Sequence, residues 1–212
     1  MNSQTEKRLI AGPAGNIEVA LDLPVSTPGS APRGMALVCH PNPTQGGTMD
    51  NKVVQTVARA FLQLGYRSVR FNFRGIGQSE GVWDEGRGEV DDALAVLQAT
   101  REAGEPWVLA GFSFGGYVAS RVLQRVEGNK PQRLILVGPA TSRFDTAPVP
   151  ADTVVIHGEV DDVVPLSAVL DWARPQSLPI IVVPGVGHFF HGQLPLLKNL
   201  VTRQFSSPEV PA

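Results

Sequence analysis

From Met35 onward, short apolar, β-branched runs alternate with stretches of helical spacing, and this alternation limits the chain to few architectures. Residues 35–39, 67–73, 107–110, 134–137, 153–157 and 180–183 read as strands; 51–64, 88–103, 114–126, 166–173 and 194–205 read as helices. In the first helix Val53, Val54, Val57, Ala60, Phe61 and Leu64 share one face, with Asp50 as the expected cap and Gly65 as the stop. In the second, Val90, Ala93, Leu94 and Leu97 share a face, and the acidic start at Glu89, Asp91 and Asp92 suits the positive end of the helix dipole. Two earlier strands, 8–11 and 17–23, are split by Gly12-Pro13-Ala14-Gly15 and form an antiparallel edge. The pattern predicts one α/β domain over 1–212, a three-layer sandwich with a mostly parallel twisted sheet, and a frayed polar tail at 206–212. In such a sheet the chemistry gathers at the carboxyl ends of the strands.

Composition narrows the function classes. The formal net charge of -2 comes without a basic stripe, which argues against nucleic acid or an anionic membrane surface as partner. No apolar stretch approaches the ~20 residues that span a bilayer. The first eight residues lack the apolar segment of a secretory signal. Cys39 is the only cysteine, so no internal disulfide can form, which fits a reducing compartment; the cytoplasm is the expected location. Four scattered histidines, His40, His157, His188 and His191, do not form a metal-ligand cluster, and no metal or organic cofactor is expected.

The pattern Gly-x-Ser-x-Gly occurs twice, as Gly77-Gln78-Ser79-Glu80-Gly81 and as Gly111-Phe112-Ser113-Phe114-Gly115. A nucleophile elbow turns sharply from a strand into a helix, with glycines keeping side chains away from the strained serine. Ser113 has that context: Trp107-Val108-Leu109-Ala110 leads in and the helix from Phe114 leads out. Ser79 is followed by Asp84, Gly86 and Gly88 with no helix starting beside it, so it reads as a loop serine. Ser113 is the expected nucleophile.

A serine hydroxyl needs a base, usually histidine oriented by a carboxylate. After strand 153–157 comes Gly158-Glu159-Val160-Asp161-Asp162; Asp161 is the expected acid, with Asp162 and then Glu159 as alternatives. After strand 180–183 comes Gly185-Val186-Gly187-His188, where a base belongs, and His188 is the expected base. His191 reads as a cap or surface residue and His157 as structural, at the rim of its strand. Acyl transfer also needs donors for the oxyanion. One is expected from the Phe114 N–H. The other is expected from the loop His40-Pro41-Asn42-Pro43, where the prolines carry no N–H and Asn42 does.

With these residues in hand, nearly the whole chain resembles the α/β-hydrolase superfamily, and within it a small, cap-less bacterial branch of serine hydrolases. The likeness is carried by His40-Pro41-Asn42-Pro43, Gly46-Gly47-Thr48-Met49-Asp50-Asn51-Lys52, Phe71-Asn72-Phe73-Arg74-Gly75-Ile76-Gly77-Gln78-Ser79-Glu80-Gly81, Gly111-Phe112-Ser113-Phe114-Gly115-Gly116, His157-Gly158-Glu159-Val160-Asp161-Asp162-Val163-Val164-Pro165 and Gly187-His188. The resemblance implies the α/β-hydrolase fold and a Ser-His-Asp triad whose acid is the first of the Asp161-Asp162 pair. His40-Pro41 departs from the common His-Gly form of the oxyanion loop.

Only 138–152 separates strands 134–137 and 153–157, too short for a lid domain. An open site is expected, shaped by loops 41–48, 76–85 and 142–149. His40, Met49, Trp83, Phe112 and Phe189 are its expected pocket residues, with Phe114 and Phe190 beside them. The sequence therefore points to a serine esterase acting on a small-molecule acyl substrate. A peptidase or amidase, an acyltransferase, and a binding protein with an idle triad are the alternatives. It specifies no oligomeric state.

Overall fold

The computed structural model describes residues 5–25 and 31–205; the expected tail at 206–212 lies outside them. The elements follow the order β1 (Glu6–Gly12), β2 (Gly15–Asp22), β3 (Met35–Cys39), α1 (Lys52–Gln63), β4 (Arg67–Phe71), α2 (Arg87–Thr100), β5 (Trp107–Phe112), α3 (Phe114–Arg125), β6 (Leu134–Val137), β7 (Val154–Gly158), α4 (Leu166–Ala173), β8 (Ile180–Val183) and α5 (Leu194–Arg203). The strands form one eight-stranded sheet in the order β1-β2-β4-β3-β5-β6-β7-β8. β1 and β2 run antiparallel, and β2 meets β4 antiparallel; every other pairing is parallel.

The central strands are continuous apolar runs because both of their faces are covered. In β5, Trp107 and Leu109 enter one core while Val108, Ala110 and Phe112 enter the other. In β3, Met35, Leu37 and Cys39 alternate in the same way with Ala36 and Val38. Helices α2, α3 and α4 cover the first face, and α1 and α5 the second. This is the α/β-hydrolase sandwich. β6 passes to β7 through residues 138–153 without a helix, so no lid domain stands over the sheet.

Side-chain capping sharpens the helix starts. Asn51, not Asp50, caps α1: its Oδ1 accepts from the Val53 N–H at 2.9 Å. Asp50 instead pairs with Arg70 at 3.1 Å. The acids at the start of α2 hold specific partners rather than the dipole alone. Glu89 accepts from the Gly86 N–H at 2.7 Å, and Asp92, fully buried, takes the Arg74 guanidinium through both oxygens at 2.8 and 3.0 Å. Among the described residues no helix is long and apolar enough to cross a membrane.

The strand order reverses between β3 and β5: β4 pairs with β3 on one side and β6 with β5 on the other. The chain leaving Cys39 and the chain leaving Phe112 therefore emerge side by side at the carboxyl edge. That switch point is where an open α/β sheet offers a crevice.

Candidate active site

Ser113 stands alone between the end of β5 and the start of α3, with φ 55° and ψ −118°. Only glycine enters this region without strain, so a serine here is held by its surroundings. The Ser113 N–H donates to the Val137 carbonyl at 2.9 Å, and its own carbonyl accepts from the N–H groups of Gly116 at 2.9 Å and Ala140 at 3.2 Å. The flanking glycines are set by close approach. A Cβ on Gly111 would lie 2.1 Å from the Gly115 carbonyl oxygen, and one on Gly115 would lie 2.3 Å from that of Cys39. The elbow thus packs directly on the end of β3, which brings the 40–47 loop beside the serine.

Ser79, in the second copy of the motif, has a different position. Its Oγ accepts from the Glu18 N–H at 2.9 Å and donates to the Asn72 carbonyl at 2.7 Å. It pins the loop after β4 onto β2 and is buried there.

Asp161 lies just past β7 and His188 on the loop past β8. His188 Nδ1 is 2.6 Å from Asp161 Oδ2, and both side chains are buried. The other carboxylate oxygen accepts from the N–H groups of Val163 at 2.9 Å and Val164 at 2.7 Å. Burial alone would raise the Asp161 carboxyl; the hydrogen bonds from His188 and Val164 overcome this and hold it below the ordinary aspartate value. An ionised carboxylate only accepts, so Nδ1 of His188 carries the hydrogen and Nε2 is left as the basic nitrogen. Phe112 lies against the His188 ring, with centroids 4.8 Å apart. Gly138, at φ +50°, lies beneath the pair: a Cβ there would come within 3.3 Å of the imidazole. Asp162 and Glu159 are exposed, and Glu159 accepts from the Gly185 N–H at 2.8 Å; neither meets His188.

His157 is fully buried rather than at a rim. It lies 3.0 Å from the Val164 carbonyl and 3.6 Å from Asp161, where it braces the turn that holds the carboxylate. Burial pushes its basicity down.

Ser113 and His188 line one cleft of about 160 Å³, together with Asn42, Asn51, Val163 and Phe189. Larger concavities of about 360 and 680 Å³ lie at the opposite edge of the sheet, among the far ends of α2, α3 and β6, and contain neither residue. The smaller cleft is the candidate site because Ser113 and His188 line it together, with Asp161 bonded to His188 behind it. Two backbone N–H groups beside it, those of Phe114 and Asn42, have no protein acceptor among the described residues.

The expected pocket residues need correction. His40 is wholly buried: its Nδ1 faces the Pro41 carbonyl at 2.6 Å and its Nε2 accepts from the Phe73 N–H at 3.0 Å. Burial keeps it neutral, with its pKa down to about 3. Met49 and Phe112 are sealed in the interior. Trp83 packs against the rings of Phe114 and Phe144 and does not line the cleft. Of the five, only Phe189 lines the cleft. Loops 76–85 and 142–149 do not reach it, and Val163 and Asn51 stand where sequence reasoning placed nothing. The Gly-rich 46–52 segment carried the only signal that would have found Asn51.

Comparison with known proteins identifies the family and the fold. Residues 30–169 match the family model described as serine aminopeptidase, S33. A Xanthomonas campestris α/β serine hydrolase without lid is 38% identical, covers 98% of this chain and 99% of its own, and superposes with a TM-score of 0.86. An α/β serine hydrolase homologue from Coxiella burnetii is also 38% identical, over 95% of this chain and 97% of its own, with a TM-score of 0.80. An uncharacterized protein of Rickettsia prowazekii is 33% identical over 196 residues, 84% of this chain and 79% of that protein. By its sequence, its sheet and its lack of a lid, the chain belongs to the serine aminopeptidase S33 family of α/β hydrolases.

Proposed function

We propose that this protein hydrolyses carboxylic esters through an acyl-enzyme on Ser113. The observation that carries the reading is the 2.6 Å contact between His188 Nδ1 and Asp161, with His188 and Ser113 in one cleft. Ser113 Oγ attacks the ester carbonyl while His188 Nε2 takes its proton. The N–H groups of Phe114 and Asn42 receive the oxyanion, each such donor contributing about 3 kcal/mol to the transition state. The tetrahedral intermediate expels the alcohol, which leaves with the proton from His188. Water, deprotonated by the same nitrogen, then attacks the acyl-serine, and collapse returns Ser113 and a carboxylic acid. Asp161 keeps the imidazole in the working tautomer and stabilises the imidazolium.

The cleft is open, which favours varied acyl groups over one enclosed substrate. An ester and amide panel, run on the wild type and on Ser113→Ala, tests the reading. Ester turnover that vanishes in the variant supports it. Amide turnover exceeding ester turnover supports a peptidase instead, and transfer to added alcohols an acyltransferase. Ester turnover that survives Ser113→Ala removes the serine from the mechanism.

A further inference from the structure

We infer that the cleft selects esters that present a hydrogen-bond-accepting oxygen beyond the scissile carbonyl, and that the side-chain amide of Asn51 reads it. This rests on the ester-hydrolase reading and specifies its substrate class.

Three carboxamides line the cleft beside Ser113, those of Asn42, Gln45 and Asn51, and the two asparagines have their acceptor ends already used. Asn51 Oδ1 takes the Val53 N–H at 2.9 Å, as the cap of α1. Asn42 Oδ1 takes the N–H and the hydroxyl of Thr44, both at 2.9 Å. A backbone N–H can bond only to the oxygen of an amide, so the orientation of both groups is fixed by their partners. What remains is the Nδ2 end of each, and among the described residues neither has a protein acceptor. Both residues are half-buried, so these ends stay open to what enters the cleft.

The electrostatics point the same way. The N-termini of α1, at Asn51, and α3, at Phe114, both open on this cleft, and each carries partial positive charge. Apart from His188, no acidic or basic side chain lines it. Around Asn42 and Asn51 the surface therefore presents donors, while the exposed Gln45 amide at the rim carries both a donor and an acceptor. It suits carbonyl or ether oxygen and offers no carboxylate to pair with the α-ammonium group of an aminoacyl substrate. A free donor left unpaired by an alkyl substrate loses its water without replacement, which is what turns a hydrogen bond into selectivity.

Matched esters test this. On the acyl side, p-nitrophenyl levulinate is compared with p-nitrophenyl isocaproate; on the alcohol side, methoxyethyl butanoate with butyl butanoate. A p-nitrophenyl trimethylammoniobutanoate serves as the cationic probe. In the wild type kcat/KM for the oxygen-bearing member of at least one pair should exceed its partner by about fivefold, the effect of one neutral hydrogen bond. Asn51→Asp keeps an oxygen for the Val53 N–H and replaces the donor by an anion. In it, that ratio should fall to one or below, and the cationic ester should gain relative to isocaproate. Asn51→Gly, which leaves a tolerated helix cap and removes the amide, is the second variant should Asn51→Asp melt early by circular dichroism. Ester turnover with no preference in either pair, or a preference that a folded Asn51 variant retains, overturns the inference and leaves the hydrolase reading intact. Turnover of none of these esters overturns the hydrolase reading itself.

Discussion

Replacing Ser79 by alanine separates a structural serine from a chemical one in two copies of the same motif. The Ser79 hydroxyl satisfies two buried backbone groups, the Glu18 N–H at 2.9 Å and the Asn72 carbonyl at 2.7 Å. Alanine leaves both without that partner, and each unsatisfied buried group costs about 1–3 kcal/mol. Neighbouring Glu18 and Asn72 side chains stay bonded to each other at 2.8 Å, so the loop is not released outright. The expected loss is about 2–4 kcal/mol, or a fall in Tm of roughly 5–15 °C for a chain of this size. Ser113→Gly should do the opposite. It relieves a residue held at φ 55° and ψ −118°, worth about 1–3 kcal/mol of strain, against about 0.5–1 kcal/mol of added chain entropy. Thermal melts by circular dichroism, with ester turnover measured below the transition, read both. Ser79→Ala should be unstable but active when folded; Ser113→Gly should be at least as stable as wild type and inactive. A Ser79→Ala protein with an unchanged Tm, or one that is folded and dead, would refute the reasoning.

Asp161→Asn keeps an oxygen for the Val163 and Val164 N–H groups but no longer fixes the His188 tautomer, so kcat should fall on the order of 10⁴-fold, read by steady-state kinetics. Gly138→Ala places a methyl within 3.3 Å of His188 at a positive φ; it should cost about 1–2 kcal/mol in chemical denaturation and reduce kcat about tenfold by displacing the imidazole. Glu18, Glu105 and Asp161 are held below their ordinary values, where hydrogen bonding outweighs burial. A depressed carboxyl stabilises the fold above its unfolded pKa and loses that contribution as pH falls through the folded value. Tm should therefore hold from neutral pH down to about pH 4 and drop below it, less steeply in Asp161→Asn, as differential scanning calorimetry across pH would show.

Much of the architecture was legible because the central strands are apolar on both faces and the helices on one. Those are period-two and helical patterns that burial itself imposes. Every strand and α-helix read from sequence is present, with ends shifted by a few residues where a cap or turn decides, as Asn51 does at α1. The elbow was legible because Gly111 and Gly115 answer to backbone contacts that any such turn makes. The pocket lining was not. His40 opens the loop proposed to hold the oxyanion, yet its ring turns inward, where it accepts from the Phe73 N–H. Met49 and Phe112 follow the same rule: an apolar side chain near a site goes to the core first. Whether a loop side chain faces cleft or core depends on such long-range partners, which local spacing does not encode. Asn51 shows the converse, a helix cap that lines the cleft only because of what α1 is packed beside.

The central claim is that Ser113 is the nucleophile, and covalent labelling of the native protein with a fluorophosphonate tests it most directly. Intact mass should show one adduct, and peptide mapping should place it on Ser113, with Ser79 unmodified and Ser113→Ala unlabelled. A folded wild-type protein that resists the reagent, or an adduct on any other residue, would contradict the account.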